Sequence, residues 1–506
     1  MLDKFYTLYF LGIGGIGMSA LARFFLLQGK QVYGYDLNPT DITTQLMEAG
    51  AQIHFDEEVN KIPENVDVVV YTPAVPKEHK EYQYFLSNKI PIFKRSEILG
   101  MICKEYPTIA VSGTHGKTTT TAMIAQVLRS ETVIQPPPNE KVRGMSKILA
   151  FIGGIANNFG GNFVCDDNFD TIVVEADEFD HSFLTLRPQV AIITSIDADH
   201  LDIYGSHKYL KESFQLFANQ IVPIGTLVIY DEIAHQIEHP NKVTYGFSNT
   251  AHYQISNIQY YTTKTTFDLN QIPRLASRAT PSKFEEEFSQ LTTTHSSLTV
   301  NIPGKHNVLN AVAALATSVE FLLLKNDATF NTQTLGHLIE KLELFTGVKR
   351  RFDIRIQRDD FVYIDDYAHH PAEIKAFLDA VKKNYPTRRV TGVFQPHLYT
   401  RTRDFAPAFA EALEILDEII LLNIYPAREQ PIEGITSNFL LSLIKKENKK
   451  LIEKEELLSY LKKNKPEILL TMGAGDIDKL VEKIESISIK ENSSIKPNPE
   501  VILNCI

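Results

Sequence analysis

Residues 112–121, with the sequence SGTHGKTTTT, constrain the fold of this chain more than any other stretch. The apolar residues 108–111 before them predict a buried strand, and residues 122–128 after them predict a helix. A glycine-rich loop with a Lys-Thr pair between a strand and a helix is typical of a phosphate-binding loop, where backbone N–H groups face an anion. The alternative is a polar turn with a helix cap, but four threonines in a row start a helix poorly because β-branched side chains lose rotamer freedom there. The stretch therefore predicts nucleotide binding in the middle of the chain.

Two side chains of this loop and two later ones predict a magnesium-bound triphosphate. Lys117 supplies a point charge for the terminal phosphates, and the Thr118 hydroxyl is a suitable Mg²⁺ ligand. The acidic sequence EADE at residues 175–178 follows a predicted strand, and Glu175 there can hold Mg²⁺ opposite the loop. His200 also follows a predicted strand and has carboxylates beside it. The alternatives are a solvated loop charge for Glu175 and a structural role for His200.

A second glycine-rich segment lies near the N-terminus, where GIGGIG at residues 12–17 fits the pattern GxGxxG. A predicted strand precedes it, a predicted helix follows it, and the next predicted strand ends in Asp36. This is the dinucleotide-binding fingerprint, which indicates a diphosphate on a helix N-terminus. Thr72 follows a further predicted strand, at the sheet edge where doubly wound folds bind ligands. By itself the motif is weak, and glycines that permit tight packing are the alternative.

Length, charge and cysteine content limit the remaining possibilities. A chain of 506 residues is too long for one core and predicts about three domains. The net charge of −11 argues against a general nucleic-acid or anionic-membrane binder. The three cysteines are scattered, the start does not resemble a secretory signal, and no apolar stretch approaches the roughly 20 residues that span a bilayer. We therefore expect a cytoplasmic protein without membrane insertion.

Polar motifs recur after predicted strands in the last third of the chain. DDYAHHP at residues 365–371 and FQPHLYTRTRDF at 394–405 both follow apolar runs, and the alternation of strands and helices predicts another α/β domain. Before them, GKHNVLNA at 304–311 enters a predicted helix, where His306 and Asn310 share one face. The charged run at 445–456 predicts a solvated helix face. We place the domains at residues 1–104, 105–344 and 345–506.

Taken together, these motifs resemble the Mur ligases, the ATP-dependent amide-forming enzymes of bacterial cell-wall precursor synthesis. The resemblance extends to about residue 480, and the form of the N-terminal glycine loop, together with DDYAHHP, favours the subgroup that adds L-alanine. Two positions depart from the family pattern: Leu398 stands where the family usually has Arg, and Phe179 where Ser is common.

The resemblance implies an α/β fold with an N-terminal Rossmann-like domain that binds the UDP-sugar, a central P-loop ATPase-like domain with a mainly parallel sheet, and a C-terminal Rossmann-like domain. It implies ATP and Mg²⁺ as cofactors, UDP-N-acetylmuramate and L-alanine as substrates, and a monomer or homodimer. The implied catalytic residues are Lys117, Arg351 and His369. The implied UDP-sugar contacts are Gly12, Gly14, Gly15, Gly17, Met18, Ser19, Asp36 and Thr72. The implied ATP contacts are Gly113, Thr114, His115, Gly116, Lys117, Thr118, Thr119, His306, Asn310, Arg351 and Asp366. The amino acid or the substrate carboxylate would face Tyr367, His369 and Arg401, and the metal would bind Thr118, Glu175 and His200.

Three alternatives stay open from the sequence. A nicotinamide-dependent oxidoreductase would use the GxGxxG loop and Asp36 but leaves the phosphate loop unexplained. A regulatory ATP-binding module would bind ATP without ligase chemistry. A recycling ligase of the same family would attach a whole peptide in place of one amino acid.

Overall fold

The computed structural model describes residues 2–129, 146–197, 207–261, 263–271, 298–326, 330, 332–427 and 429–490. The chain divides into two compact units, Met1–Val348 and Lys349–Ile506. The first unit holds a five-stranded and a ten-stranded sheet, and the second unit holds a six-stranded sheet. The predicted α/β class is confirmed. His200, a predicted metal ligand, lies outside the described residues.

The first sheet is parallel, with the strand order β3-β2-β1-β4-β5. Strands β1 and β4 are the most apolar, and each has a neighbouring strand on both sides. Such apolar strands are expected in a sheet whose two faces are both covered. The order reverses between β1 and β4, so the glycine loop after β1 lies at the switch point where such sheets bind ligands. The strands are β1 (Thr7–Leu11), β2 (Gln31–Tyr35), β3 (Gln52–His54), β4 (Val68–Tyr71) and β5 (Ile92–Lys94), and the helices are α1 (Ile16–Leu27), α2 (Asp41–Glu48), α3 (Lys80–Ser87) and α4 (Arg95–Cys103).

The second sheet has the order β15-β14-β13-β12-β11-β10-β6-β9-β7-β8 and is parallel at its centre, from β13 through β12, β11, β10, β6 and β9 to β7. Antiparallel strands form its two edges. The strands are β6 (Thr108–Ser112), β7 (Ile148–Ala156), β8 (Gly161–Cys165), β9 (Thr171–Glu175), β10 (Val190–Ile193), β11 (Thr226–Tyr230), β12 (Lys242–Gly246), β13 (Tyr253–Tyr260), β14 (Thr265–Gln271) and β15 (Leu298–Val300). The helices are α5 (Lys117–Leu128), α6 (His207–Ala218), α7 (Lys305–Asn326) and α8 (Thr332–Glu343).

The expectation that no apolar stretch approaches the length of a membrane span is wrong for one helix. Among the described residues, the segment Lys305–Lys325 is long and apolar enough to cross a membrane by those criteria alone, yet 83% of its apolar window is buried inside the protein. Its alanine, valine and leucine side chains belong to the same buried cluster as those of α5. The segment is apolar because it is a core helix, buried against the second, ten-stranded sheet, which we call the central sheet.

The second unit has a sheet of order β16-β17-β21-β18-β19-β20, in which only β16 is antiparallel to its neighbour. The prediction that the charged run at 445–456 forms one helix face is wrong. Lys449–Leu451 forms an edge strand beside β19, and a helix begins only at Lys454. Lysines are well suited to an edge strand because they discourage pairing with other chains. The strands are β16 (Asp353–Gln357), β17 (Val362–Asp366), β18 (Val390–Phe394), β19 (Glu418–Leu421), β20 (Lys449–Leu451) and β21 (Ile468–Met472), and the helices are α9 (Pro371–Asn384), α10 (Tyr399–Leu413), α11 (Ser437–Leu443), α12 (Lys454–Lys463) and α13 (Val481–Lys490).

Candidate active site

The phosphate loop joins β6 to α5 and depends on two glycines with positive φ. Gly113 has φ +133° and Gly116 has φ +81°, a region that L side chains rarely adopt. A Cβ at Gly113 would lie 2.1 Å from Thr194 Oγ1, and one at Gly116 would lie 2.5 Å from Asn310 Oδ1. The loop is therefore closely packed and held in one shape.

A second loop, which follows β10, braces the phosphate loop. Ser195 Oγ lies 2.9 Å from Thr114 Oγ1 and accepts a hydrogen bond from the His115 N–H at 2.8 Å. The Asp197 N–H donates to Thr114 Oγ1 at 3.0 Å, and the Asp197 carboxylate lies 3.5 Å from His115 Nε2. The Thr114 and His115 side chains are thus used to hold the loop, which leaves its backbone and Lys117 to meet a ligand.

Lys117 forms a buried ion pair with Glu178. Its ammonium lies 2.8–2.9 Å from the two carboxylate oxygens and also donates to the Gly113 carbonyl oxygen at 2.7 Å. Burial alone would lower the pKa of Lys117, but the carboxylates of Glu178, Asp177 and Glu175 outweigh it and raise that pKa. The lysine is therefore held as a fixed cation at the start of α5, and a phosphate group would compete with Glu178 for it.

Thr118 and Glu175 form the candidate metal site. The Thr118 hydroxyl donates to Glu175 Oε1 at 3.1 Å, and the Gly153 N–H donates to Oε2 at 2.8 Å. Burial raises the pKa of Glu175, and the nearby Lys117 charge opposes that rise. A hydroxyl and a carboxylate at the end of the loop are hard oxygen ligands and fit Mg²⁺. No group of three His, Cys, Asp or Glu side chains that could hold a metal occurs among the described residues, which exclude His200.

The second turn of α7 reaches the phosphate loop through Asn310. Asn310 is buried, and its Oδ1 lies 3.3 Å from the Thr120 hydroxyl. His306 is exposed, and its ring lies close to Gly304. The predicted ATP contact Asn310 therefore packs against the loop residue Gly116.

The glycine loop of the first domain brings four predicted residues together. The Gly14 N–H donates to Asp36 Oδ2 at 2.7 Å. Gly12 has φ +83°, and a Cβ there would lie 2.7 Å from Thr72 Cγ2. The carboxyl ends of β1, β2 and β4 thus meet at this loop, as the fingerprint predicts.

Other predicted residues of this loop have different surroundings. Gly15 is the residue before α1, and Met18 and Ser19 face the core, with exposed fractions of 2% and 0%. Gly17 lies beneath the Arg95 side chain, because a Cβ at Gly17 would be 3.0 Å from Arg95 Nη1. A ligand at this loop would meet backbone N–H groups and the Arg95 guanidinium.

In the second unit, Asp366 ends β17 and has both carboxylate oxygens occupied. Oδ2 accepts from the Phe352 N–H and Oδ1 from the Ala368 N–H, both at 2.7 Å. Burial raises the pKa of Asp366 to about 6, although Arg351 and these N–H groups lower it. The Arg351 guanidinium lies 5.1 Å from the centre of the Tyr367 ring, in a cation–π contact. Asp366 therefore orders the segment that presents Arg351 and Tyr367.

His369 lies between a carboxylate and two guanidinium groups. Burial lowers its pKa to about 4, Glu373 opposes this shift, and Arg401 and Arg351 add to it. Its Nδ1 lies 3.1 Å from the Tyr367 carbonyl oxygen, which assigns the proton to Nδ1 and a lone pair to Nε2. Arg401 lies on the first turn of α10, 3.5 Å from His397 Nδ1. His369 is therefore neutral at pH 7.

Leu398, the departure from the family pattern, precedes α10 with φ +71°. Its N–H donates to the Tyr425 carbonyl oxygen at 3.0 Å, and its own carbonyl oxygen accepts from the Thr402 hydroxyl at 2.8 Å. The unusual conformation for a leucine is thus fixed by hydrogen bonds to both its N–H and its carbonyl oxygen.

Two residues of these sites were missed from the sequence. Glu178 was recognised only as part of an acidic cluster, since one carboxylate could not be told from the next by position. Arg95 follows the carboxyl end of β5, and the rule that was applied to Thr72 could have found it.

Three family models match the chain in sequence order. "Mur ligase family, catalytic domain" matches residues 7–107, "Mur ligase middle domain" matches 111–318, and "Mur ligase, glutamate ligase domain" matches 350–475. The UDP-N-acetylmuramate–L-alanine ligase of Flavobacterium psychrophilum is 42% identical, over 96% of this chain and 98% of that protein. The chain belongs to the Mur ligase family. This Mur ligase is therefore an ATP-dependent, amide-forming enzyme.

Solved structures agree with the fold of this Mur ligase. The UDP-N-acetylmuramate-alanine ligase of Thermotoga maritima matches with a TM-score of 0.74 and 26% identity, over 96% of this chain and all of that one. A murein peptide ligase of Psychrobacter arcticus matches with a TM-score of 0.65 and 21% identity, over 97% of this chain and 100% of that one, which supports the fold alone.

Proposed function

We propose that this Mur ligase joins L-alanine to the lactoyl carboxylate of UDP-N-acetylmuramate, with ATP as the source of energy and Mg²⁺ bound at Thr118 and Glu175. The 42% identity to a UDP-N-acetylmuramate–L-alanine ligase over nearly the whole chain supports this choice of substrates. The observation that carries the chemistry is the 3.1 Å contact of Thr118 with Glu175 beside the fixed Lys117 cation. We place the reaction in the cytoplasm, and the domain boundaries 1–104, 105–344 and 345–506 remain part of the proposal.

A carboxylate does not react with an amine at neutral pH unless it is activated. In the proposed reaction, the γ-phosphoryl group of ATP moves to a carboxylate oxygen, which gives an acyl phosphate and ADP. Phosphoryl transfer is accelerated mainly by positioning and charge stabilisation. Lys117 and the backbone N–H groups of the loop would hold the phosphates, and bound Mg²⁺ would neutralise further charge on them.

The neutral amine of L-alanine would then attack the carbonyl carbon and form the C–N bond. Inorganic phosphate would leave with the C–O bond electrons and would take up the proton that the nitrogen loses. Arg401 would bind the alanine carboxylate. His369 is neutral at pH 7, so its Nε2 would accept a hydrogen bond from the alanine amine without repelling it. Arg351 would stabilise the negative charge that develops on oxygen.

Phosphate release from ATP, measured with UDP-N-acetylmuramate and one amino acid or peptide at a time, tests the proposal. We expect release with L-alanine and little with a tripeptide. Release that depends on the tripeptide would support the peptide-recycling ligase, and ATP binding without release would support the regulatory module. NAD(P)H consumption with 2-hydroxy acids, followed by absorbance, checks the oxidoreductase alternative.

A further inference from the structure

One β-hairpin of the central sheet contacts residues next to the phosphate loop and residues next to the glycine loop. This hairpin consists of β7 and β8, residues 148–165. On its β7 strand, the Gly153 N–H donates to Glu175 Oε2 at 2.8 Å. The next residue, Gly154, packs against Thr118, since a Cβ at Gly154 would lie 3.0 Å from Thr118 Cγ2. The β7 strand therefore contacts both residues of the candidate metal pair.

The β8 strand of the same hairpin holds the first turn of α1. Asn162, which is only 1% exposed, donates from Nδ2 to the Ile16 carbonyl oxygen at 2.5 Å and to Ser19 Oγ at 3.2 Å. The Ser19 hydroxyl donates to the same Ile16 carbonyl oxygen at 2.9 Å. This turn follows the glycine loop directly, so the hydrogen bonds of Asn162 act on the N-terminal end of α1.

Apolar contacts surround these polar ones. The Phe24 ring of α1 lies 6.2 Å from the Phe151 ring of β7, and Phe151 lies 5.6 Å from Phe163 of β8, measured between ring centres. The hydrophobic effect that drives this packing is non-directional. A buried amide needs its acceptors at fixed positions and therefore selects one arrangement of α1 on the hairpin.

We propose that Asn162 is a positioning residue, which fixes the UDP-sugar loop at one distance and orientation from the Thr118–Glu175 pair. The inference rests on the proposed function, in which the sugar-nucleotide carboxylate must reach the γ-phosphoryl group. A displacement of about 1 Å in such a reaction can reduce the rate about 100-fold. Because Asn162 is almost fully buried, we expect neither ligand to touch it, so its loss should affect the alignment of the two substrates and not the binding of either one.

The test is the variant Asn162→Ala in the full-length enzyme. We expect kcat for phosphate release to fall about 10- to 100-fold, while the Kd values for UDP-N-acetylmuramate and for a non-hydrolysable ATP analogue, measured separately by calorimetry, stay within about threefold of wild type. Asn241→Ala is the matched control, because that amide also donates to a carbonyl oxygen of a neighbouring segment, Gly225, at 3.1 Å. Its kcat should be that of wild type.

The outcomes separate the possible explanations. A wild-type kcat in Asn162→Ala overturns the inference, and so does a loss of UDP-sugar affinity with kcat retained. Ser19→Ala removes one of the two acceptors and should lower kcat less than Asn162→Ala does; it also serves as the test variant if Asn162→Ala does not fold. If wild type itself releases no phosphate with UDP-N-acetylmuramate and L-alanine, the proposed function fails instead.

Discussion

The phosphate loop and the glycine loop share a backbone plan but carry different side chains. Each joins a buried parallel strand to a helix of 12 residues, and each contains a glycine with φ near +80°, Gly116 at +81° and Gly12 at +83°. Lys117 and Thr118 open the helix after the phosphate loop, whereas Ile16 and Gly17 open the helix after the glycine loop. Backbone N–H groups are enough to bind a diphosphate, but phosphoryl transfer also needs a cation and a metal ligand.

The acids beside the two loops also differ in what they bind. Asp36 accepts a hydrogen bond from the backbone of its loop, at Gly14, and so fixes the loop shape. Glu178 binds the Lys117 ammonium and so fixes a charge. We infer that the first loop is built for binding and the second for chemistry. Substitutions in the two loops should then affect different kinetic parameters.

The largest effect is expected from Lys117→Ala. This variant removes the cation of the phosphate loop, and we expect kcat for phosphate release to fall on the order of 1000-fold. UDP-N-acetylmuramate should still bind with a Kd near that of wild type in calorimetry, because the glycine loop is unchanged. Lys325→Ala is the control, since Lys325 pairs with Asp170 at 2.7 Å at the other end of α7. Near-normal turnover in Lys117→Ala would refute the assignment of the phosphate loop.

Glu175→Gln should have the next largest effect. The amide keeps the shape of the side chain but is a weaker ligand for a divalent cation. We expect the Mg²⁺ concentration for half-maximal activity to rise about 10- to 100-fold, with part of the activity restored by excess Mg²⁺. An unchanged Mg²⁺ dependence would place the metal elsewhere.

Both loops could be predicted from the sequence because their signals are local. Glycines with positive φ, a Lys-Thr pair and a strand before each loop all lie within about ten residues, and local patterns are the most informative ones. Thr118 was predicted as a metal ligand from the phosphate-loop pattern, and Glu175 from the acidic cluster that ends a predicted strand. The two strands concerned, β6 and β9, are neighbours.

The rest depends on contacts between distant segments. The sequence does not reveal that Glu178, and not Glu175, binds Lys117. Three of the four consecutive residues 175–178 are acidic, and the direction of each side chain at the end of the strand cannot be read from the sequence. Nor does it reveal that Ser19 faces Asn162, since the two residues are 143 positions apart. The strand at Lys449–Leu451, which pairs with β19, was missed because its lysines do not give the apolar pattern of a strand.

Arg95→Ala tests whether the glycine loop has a cation of its own. The Arg95 guanidinium lies over Gly17, where it would meet the diphosphate of a UDP-sugar. Loss of one charge-assisted hydrogen bond, worth about 1.5 kcal/mol, should raise the KM for UDP-N-acetylmuramate about tenfold. The KM for ATP should not change.

Arg23→Ala is the control for this variant, because Arg23 lies on α1 but donates to Gln45 Oε1 at 2.7 Å, away from the loop. If Arg95→Ala lowers kcat and leaves KM unchanged, Arg95 acts in the chemistry, and the division into a binding loop and a chemical loop is wrong.

Asp36→Asn should have the smallest effect and separates two roles for this acid. If Asp36 mainly fixes the loop through its 2.7 Å hydrogen bond from the Gly14 N–H, the amide oxygen of asparagine can replace it with a weaker neutral bond. That loss is about 0.5–1 kcal/mol and should raise the KM for UDP-N-acetylmuramate less than about fivefold. An increase beyond about 30-fold, or about 2 kcal/mol, would mean that the carboxylate contacts the ribose directly, as in dinucleotide-binding folds. The same measurement on Asp36→Ala, which removes the acceptor altogether, gives the upper limit of the loop-fixing contribution.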